Sequence, residues 1–360
     1  MKKFLDCISI VGATPSKFHG TKKYISTGAV ATTEIDESEV VEVTYEDRPS
    51  RANLSAEAGD ILFAKMQGTR KTLLLDSETE KNIYSTGFYA VRANPEVITT
   101  ECLYYLIDSE LFLAQKDKNC SGATQKAITN GGMAKIEISV PPLSEQGILV
   151  DKLKHLTQLI ADKKKQLNLF DEIIKSRFIE MFGTLSCNEH HYPMCALKYA
   201  CRKITDGKHG GCEQEYNSGY YYVGAREIYD GEIHYGTAPQ IVRGDFEKDY
   251  RRCNIEQGDF VLVNTGTTIG KSAIAKHPLT ERTLLQKSVA MFKVKTELIS
   301  AVFLKCCYDA NPEMYTVKSA SAQPNLLLSR INSTQIYLPP IELQRQFAAF
   351  VEQVDKSKYH

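Results

Sequence analysis

The longest feature of the hydrophobic pattern is an apolar stripe between the proline pair Pro141-Pro142 and Gly183. Its members recur every three or four residues, as on one face of a coiled-coil helix, and are Leu149, Leu153, Leu156, Ile160, Leu167, Phe170, Ile174 and Met181. Two polar residues, Lys163 and Arg177, fall in the same register. The spacing predicts one long helix with Ser144 as its N-cap and Gly183 as its C-cap. A helix with one narrow apolar stripe needs a partner helix.

Short runs rich in β-forming residues, separated by turn residues, flank this helix and predict two β-rich domains. The first domain covers residues 1–140 and includes the run Gly59–Ala64, and the second covers residues 184–338. Helical spacing interrupts each domain once, at Thr100–Lys116 and at about Glu297–Tyr308. Each domain is therefore expected to be mostly sheet with one prominent helical segment.

Two helical segments separate and follow the domains. The first covers residues 141–183, and the second covers residues 339–360, where Pro339-Pro340 opens a helix. The stripe of the second helix is Phe347, Phe350, Val351 and Val354. This helix is about half as long as the first, so the seam from about Leu167 to Met181 is expected to lack a partner within the chain and to promote self-association or instability.

The chain contains two copies of one pattern. Ser121–Gln146 and Ser319–Gln344 share a first Ser, a Gln four residues later and a Pro-Pro-apolar-x-x-Gln ending, at an offset of 198 positions. Three further matches precede these in the same order: Ile25–Ala29 with Tyr222–Arg226, Gly59–Phe63 with Gly258–Leu262, and Ser85–Val91 with Gln286–Phe292. A solenoid unit has a period of about 20–50 residues, so this repeat is a domain with its connector. The predicted fold class is α+β: two similar β-rich domains separated by long coiled-coil-like helices, with a pseudo-two-fold internal repeat.

Composition narrows the class of protein. Hydrophobic residues make up 42% of the 360 positions, but no apolar run approaches the ~18 residues that span a membrane, so a cytoplasmic protein without a membrane partner is expected. The 44 basic and 44 acidic residues cancel, which counts mildly against a nucleic-acid binder. The ten cysteines form no Cys-x-x-Cys pair and are expected to be reduced. A rival interpretation is a zinc site from Cys187, Cys195, Cys201 and Cys212 with His190, His191 or His209, although these spacings match no paired-ligand pattern.

No convincing active site is present in the sequence. Gly266–Ser272 resembles a phosphate-binding loop but has three residues instead of four between its glycines. Asn311–Met314 begins like an amino-methyltransferase motif and lacks its second proline and its aromatic residue. No nucleophile elbow or His-Glu-x-x-His motif occurs. We therefore assign no catalytic residue, metal or cofactor to this chain, and an enzyme with an unrecognised site is the third interpretation.

Binding is better supported than catalysis, because the loops after the two Gly-Asp runs hold side chains that read DNA grooves. Arg and Lys pair with guanine, Asn and Gln pair with adenine, and Gly and Thr let phosphates approach the backbone. The candidates are Gln67, Thr69, Arg70 and Lys71 in the first copy, and Lys203, Lys208, His209, Asn264, Thr265, Thr267 and Lys271 in the second. Each loop can equally be interpreted as a polar hairpin turn. Gln125 and Gln323 occupy matched loops and are better interpreted as structural hydrogen-bonding residues.

The order of domain, Pro-Pro-x-x-x-Gln helix, domain and second Pro-Pro-x-x-x-Gln helix resembles the DNA-specificity subunit of type I restriction–modification systems. The resemblance covers essentially the whole chain. It is carried by Ile136–Val140 running into Pro141–Gln146, by Gln335–Leu338 running into Pro339–Gln344, and by Ile204–Gly207, Gly258–Leu262, Gly266-Thr267 and Gly270-Lys271, which look like segments of target-recognition domains.

The resemblance implies that each target-recognition domain reads one half of a split site in the major groove of double-stranded DNA. It implies that the helices space the domains and dock methyltransferase (M) subunits, which carry S-adenosylmethionine, while restriction/translocase (R) subunits use ATP and Mg²⁺. The chain itself is then non-catalytic and holds no cofactor. The alternative is a non-catalytic protein-interaction adaptor with two β-rich domains on a helical strut, which reads no DNA sequence.

Overall fold

The computed structural model describes residues 1–123, 125–316 and 324–358. The chain divides into two compact units, Met1–Asp162 and Lys163–His360. Each unit combines mainly antiparallel sheets with helices, which confirms the predicted α+β class.

The first unit is built on short strands, because turn residues interrupt the chain every few positions. Its strands are β1 (Lys2–Lys3), β2 (Ile8–Val11), β3 (Lys22–Ile25), β4 (Val30–Ala31), β5 (Glu34–Ile35), β6 (Val41–Val43), β7 (Ala52–Leu54), β8 (Ile61–Ala64), β9 (Thr72–Leu74), β10 (Ile83–Ser85), β11 (Phe88–Ala93) and β12 (Glu137–Ile138). Two four-stranded sheets have the orders β2-β11-β8-β9 and β6-β3-β10-β7, and only β3 and β10 among these neighbours are parallel. The pairs β1-β12 and β4-β5 complete the unit.

Hydroxyl caps start the first three helices of this unit. The helices are α1 (Thr100–Ile107), α2 (Glu110–Lys118), α3 (Asn130–Met133) and α4 (Leu143–Phe182), of which α4 continues into the second unit. The Ser109 hydroxyl oxygen accepts a hydrogen bond from the amide of Phe112 at 3.2 Å. The segment predicted as one helix over Thr100–Lys116 is therefore two helices, with the break at Asp108-Ser109.

Strand β8 is buried along its whole length, because both faces of its sheet are covered. Successive side chains of a strand point to opposite faces. Ile61 and Phe63 lie in a cluster with residues of α1 and α2, whereas Leu62 and Ala64 lie in a second cluster with Tyr84. The Gly-Asp run that precedes β8 thus leads into the centre of the unit.

The second unit repeats this sheet topology. Its strands are β13 (Met194–Ala196), β14 (Cys201–Asp206), β15 (Tyr221–Val223), β16 (Ile228–Tyr229), β17 (Glu232–Ile233), β18 (Phe260–Val263), β19 (Ser272–Ile274), β20 (Thr283–Leu285), β21 (Val289–Val294) and β22 (Gln335–Tyr337). The sheet β14-β21-β18-β19 has the order of β2-β11-β8-β9, and the parallel pair β15-β20 corresponds to β3-β10. Leu62 pairs with Ala90 in one sheet, and Leu262 pairs with Ala290 in the other. The predicted internal repeat is therefore confirmed in the central four-stranded sheet and in the parallel pair, although β6 and β7 of the first unit have no counterpart in the two-stranded sheet β15-β20.

The helices differ more between the units than the sheets do. Those of the second unit are α5 (Leu197–Ala200), α6 (Arg243–Cys253), α7 (Ala301–Ala310), α8 (Leu328–Ser333) and α9 (Ile341–Lys358). Helix α7 corresponds to α1 and is capped by the Ser300 oxygen. After α7 the described residues form a short 3₁₀ turn, Pro312–Met314, where the first unit has α2.

Helix α4 has 40 residues and begins at Leu143, one residue before the predicted cap Ser144. The Glu145 amide already donates to the Pro142 carbonyl at 2.9 Å, so Ser144 lies in the first turn and is not the N-cap. At the other end, Gly183 has φ +71° and its amide donates to the Ile179 carbonyl at 2.8 Å. The prediction of Gly183 as the C-cap is confirmed, because glycine tolerates this left-handed conformation.

The last turns of α4 pack against α9 through a seam centred on Phe178 and Phe182, and the predicted stripe residues Ile174 and Met181 are half-buried against the same core. Phe178 and Phe182 are fully buried, and their ring centroids lie 5.5 and 5.4 Å from that of Phe347. Lys358, near the other end of α9, pairs with Asp171 at 2.8 Å. The prediction that α4 lacks an intrachain partner up to Met181 is therefore wrong for its last turns.

The seam shifts because an α-helix drifts by about 20° per heptad relative to a strict seven-residue repeat. Counted from Leu149, the predicted stripe reaches Arg177 and Met181, one position before the two buried phenylalanines. Leu149 and Leu167 are exposed, as most of the apolar side chains of α4 are.

Candidate nucleic-acid interface

Two equivalent hairpin loops follow the central strands. The first loop (Met66–Lys71) joins β8 to β9, and the second loop (Thr265–Lys271) joins β18 to β19. The Gln67 amide donates to the Lys126 carbonyl, and the Gly266 amide donates to the Pro324 carbonyl, each at 3.0 Å. The structure therefore gives both loops the same anchor to the segment that precedes the Pro-Pro helix.

Arg70 of the first loop is held by two carboxylates. Its Nε and Nη2 lie 3.0 and 2.8 Å from the Asp108 oxygens, and its Nη1 lies 3.0 Å from Glu110. Hydrogen bonding to Asp108 is the main cause that raises the pKa of Arg70. These bonds engage three of the five N–H donors of the guanidinium, so Arg70 has two donors left for a base unless it releases the carboxylates.

The other candidates in the first loop differ in their freedom to contact DNA. The Lys71 ammonium donates to the Thr27 carbonyl at 2.6 Å and is half-buried. Gln67 is exposed, and its side-chain amide donates to the Asp117 carbonyl at 3.2 Å. Thr69 is half-buried in the same loop. The structure thus brings all four predicted residues of the first copy into one loop, with most of their polar atoms already engaged.

Immediately before the second loop, Asn264 is the clearest departure from prediction. Only 3% of this residue is exposed, and its side-chain amide faces the Leu326 carbonyl at 3.4 Å. Asn264 directly follows the central strand β18 and, buried there, cannot reach a base edge in this conformation. Thr267 and Lys271 are exposed, and Thr265 is half-buried with its hydroxyl 3.1 Å from Asn325.

The remaining candidates of the second unit lie around a third loop (Asp206–Gly211), which follows β14. Lys203 donates to Asn254 at 3.0 Å, and Lys208 forms an ion pair with Asp249 of α6 that raises its pKa. His209 has a largely exposed side chain 3.4 Å from Asp206. His209 is therefore the candidate of this loop best placed to meet a ligand.

The second and third loops leave the sheet at the same edge. Strands β14 and β18 both pair antiparallel with β21, so their ends lie beside its start. The turn before β21 connects them: the Lys287 amide donates to the Lys208 carbonyl at 3.0 Å, and the Asn264 amide donates to the Ser288 carbonyl at 2.9 Å. The structure therefore assembles residues from distant parts of the sequence along one edge.

No pattern in the sequence identified the counterpart of this edge in the first unit. Strand β2 pairs with β11 as β14 pairs with β21, so the segment after Val11 leaves beside the first loop. This segment contains the exposed residues Lys17 and His19. The matching order of strands was the available signal, because no shared residue marks the two segments.

The backbone of the third loop lies close to neighbouring groups, and this explains why glycine is needed at position 207. A Cβ at Gly207 would lie 2.1 Å from the Leu285 carbonyl oxygen, so only glycine fits. Arg252 of α6 donates to the carbonyls of Asp206 and Gly207 at 3.1 and 2.9 Å. Arg252 was not a sequence candidate, because its partners lie 46 and 45 positions away.

Gln125 and Gln323 were predicted as a matched pair. Gln125 is exposed, with its side-chain nitrogen 3.2 Å from the Met66 sulfur. Gln323 lies outside the described residues. Their structural role stays a prediction.

Other kinds of site find little support in the described part of the chain. Within residues 1–123, 125–316 and 324–358, no three His, Cys, Asp or Glu side chains are grouped to hold a metal ion. All ten cysteines are free thiols. The Gly266–Ser272 loop joins two antiparallel strands, whereas a phosphate-binding loop leads into a helix. None of the helices described is long and apolar enough to cross a bilayer.

A family model described as the type I restriction modification DNA specificity domain matches two stretches of the chain, residues 10–169 and 203–359. A comparison with curated protein sequences finds no match. Among solved structures, one from work on complex assembly and conformational transition of a type I R-M system is 18% identical, with a TM-score of 0.50, and the alignment covers 98% of this chain and 91% of that chain. The S subunit of a type I restriction-modification system from M. genitalium is 15% identical, with a TM-score of 0.50, and the alignment covers 99% of this chain and 89% of that chain. At these identities the structural likeness shows a shared fold.

Proposed function

The chain belongs to the family of type I restriction modification DNA specificity domains, and we propose that each of its two units reads one half of a split site on double-stranded DNA. The most direct support is that both units contain the same four-stranded sheet, with loops leaving the equivalent edge of each sheet. Two equivalent edges with different loop residues suit two different short sequences. The loops supply polar and basic side chains of the kinds that contact phosphates and base edges.

The zero net charge limits how this binding can work. Non-specific attraction to DNA comes from cations that neutralise phosphates, so here it must come from local groups of exposed basic residues. Three such residues are exposed or largely exposed: Lys271 of the second loop, His209 of the third loop, and Lys17, which follows β2 and lies 3.8 Å from Glu46. We expect moderate affinity for the isolated chain and a dependence on partner subunits.

We further propose that this chain performs no chemistry itself. Methyltransferase subunits would carry S-adenosylmethionine, and restriction/translocase subunits would use ATP and Mg²⁺. Helix α4 offers these proteins an apolar surface. Its exposed apolar side chains are Leu149, Leu156, Leu159, Ile160, Leu167, Leu169 and Ile173. A helix with this many exposed apolar residues suits a protein partner.

The decisive experiment is selection from a library of randomised DNA duplexes by the full chain with its methyltransferase partner. We expect a motif of two short specific tracts with a fixed gap between them. Sequencing of methylated DNA from cells that express both proteins should give the same motif. A single undivided motif would contradict the two-reader proposal.

The adaptor alternative gives a different result in the same experiment. An adaptor would enrich no sequence, and any DNA affinity of the complex would be the same on every duplex. Specific binding would show instead a difference between the selected duplex and a scrambled one at each salt concentration.

A further inference from the structure

Lys116 of α2 is a buried lysine whose ammonium group lies beneath the first loop. Only 2% of the residue is exposed. Its Nζ donates hydrogen bonds to three backbone carbonyls: Ala64 at 3.2 Å, Met66 at 2.9 Å and Thr69 at 2.6 Å. Three donated bonds use all the donors of an ammonium group, so the geometry fits the charged form.

The neighbouring residue on α2, Asp117, holds the same loop at a different position. Asp117 accepts a hydrogen bond from the Gly68 amide at 3.0 Å through Oδ2. Its Oδ1 lies 3.7 Å from the Lys116 ammonium and, among the described atoms, is buried without a hydrogen-bond partner. The aspartate thus balances the buried charge and fixes the tip of the loop, where Gly68 has φ +70°.

Nearly every residue of the first loop is therefore hydrogen-bonded or ion-paired to α2 or to the residues just before it. Met66 and Thr69 are held by Lys116, Gly68 by Asp117, and Arg70 by Asp108 and Glu110. Polar ties on the protein side leave the outer edge of the loop as the part that can face a ligand. A recognition site needs its groups fixed to about 0.5 Å, which few exposed loops achieve without such support.

We propose that Lys116 is a positioning residue that sets the shape of the first loop and thereby decides which DNA half-site the first unit accepts. The proposal rests on the DNA-reading function proposed above. Burial of an ammonium group costs free energy, because the group loses its hydration. The three carbonyls replace the lost water, and the proposed role explains why a lysine is buried at this position. Burial also lowers the pKa of Lys116, consistent with this cost.

In the second unit, the equivalent loop is supported by a different kind of side chain. The ring of Tyr315 lies against Gly270, where an added Cβ would be 2.4 Å from a ring carbon. Beyond the backbone anchor that both loops share, the first unit adds a buried ammonium group and the second adds an aromatic ring. Different supports under equivalent loops fit two units that read different sequences.

The test compares full chains in the duplex selection described above. Lys116→Met removes the three donated hydrogen bonds and keeps a side chain of similar length. Lys118→Met is the matched control, because it removes the same charge from an exposed position of the same helix. We expect Lys116→Met to lose base preference in one half of the motif, by at least tenfold in relative affinity, and to keep it in the other half. Lys118→Met should keep both halves.

A second pair of variants covers the case in which Lys116→Met does not fold. Gly68→Ala strains the tip of the first loop in open space, and Gly59→Ala places the same strain elsewhere in the unit, also in open space. We expect Gly68→Ala to weaken preference in the same half of the motif and Gly59→Ala to leave it unchanged.

The outcomes separate the two proposals. If the wild-type chain enriches no motif, the DNA-reading function fails. If the wild-type chain enriches a split motif and Gly68→Ala or a folded Lys116→Met keeps both halves intact, the shape of the first loop does not decide the half-site and the inference is wrong.

Discussion

Gln146 and Gln344 lie 198 positions apart and make the same three hydrogen bonds. The Gln146 Oε1 accepts from the Thr99 amide at 2.7 Å, and its Nε2 donates to the carbonyls of Val97 and Pro141 at 3.0 and 2.9 Å. Both glutamines are fully buried.

The partners in the second unit follow the same pattern. The Gln344 Oε1 accepts from the Ser300 amide at 2.9 Å, and its Nε2 donates to the carbonyls of Leu298 and Pro339 at 3.0 and 2.9 Å. Thr99 and Ser300 are the N-caps of α1 and α7. The glutamine of each Pro-Pro-x-x-x-Gln segment therefore ties the start of a long helix to the start of a domain helix.

We expect Gln146→Ala and Gln344→Ala each to lower the free energy of unfolding of its own unit by about 2–4 kcal/mol, because each leaves buried backbone groups without partners. Urea unfolding monitored by hydrogen exchange would assign the loss to a unit. Gln158→Ala, at an exposed position of α4, is the control and should cost under about 0.5 kcal/mol. Equal effects of all three changes would contradict the role of the buried glutamines.

Lys271 and Lys71 occupy equivalent ends of their loops, but the structure predicts unequal effects on DNA binding. Lys271 is exposed, whereas the Lys71 ammonium is held by the Thr27 carbonyl. Lys271→Ala should weaken binding to all duplexes and make the salt dependence shallower by about 0.9 log unit per log unit of salt if it loses one phosphate contact. Lys71→Ala should change the slope less. Binding titrations at several salt concentrations measure both, and a larger slope change for Lys71→Ala would refute this ranking.

Gly270 and Gly266 test how the second loop is supported. Both have φ near +100°, so alanine at either position costs about 1 kcal/mol in backbone strain. At Gly270 the new methyl group also meets the Tyr315 ring, which should add about 1–3 kcal/mol, whereas the space beside Gly266 is open. Thermal unfolding of the two variants gives the comparison. Equal costs would show that the ring moves aside freely.

The cysteines should differ sharply in reactivity. Burial raises the pKa of Cys201 to about 12, of Cys253 to about 11 and of Cys306 to about 12, while Cys187 is exposed. Because the thiolate is the reactive form, iodoacetamide at about pH 8 should label Cys187 first and these three only after unfolding. Peptide mass spectrometry measures the order, and Cys187→Ser should remove the fast phase.

The same thiols predict how stability depends on pH. Their folded-state pKa values lie above the ordinary value of 9.0, so their contribution to stability is complete below about pH 9. It is lost as the pH rises through the folded-state values, because the unfolded chain releases these protons first. The unfolding free energy should therefore fall from about pH 9 upward. A free energy that stayed constant up to about pH 11 would contradict the burial of these groups.

Part of the candidate site could be predicted from the sequence and part could not. The first and second loops were identified because a Gly-Asp run leads into each central strand. The partners of Arg70 were missed, because Asp108 and Glu110 lie 38 and 40 positions away. Lys116 was also missed, although it follows the buried Phe112 by four residues on α2 and so shares its face.

The sequence by itself determined the duplicated domains, the long helix and the glycine that ends it. These features depend on local periodicity, on turn residues and on the offset between two copies, all of which can be counted along the chain. Only the tertiary structure decided which face of α4 is buried, that Asn264 lies inside the second unit, and which groups hold each loop. Those outcomes depend on contacts between residues far apart in sequence, where helix drift and the choice of hydrogen-bond partner are fixed only when the units pack.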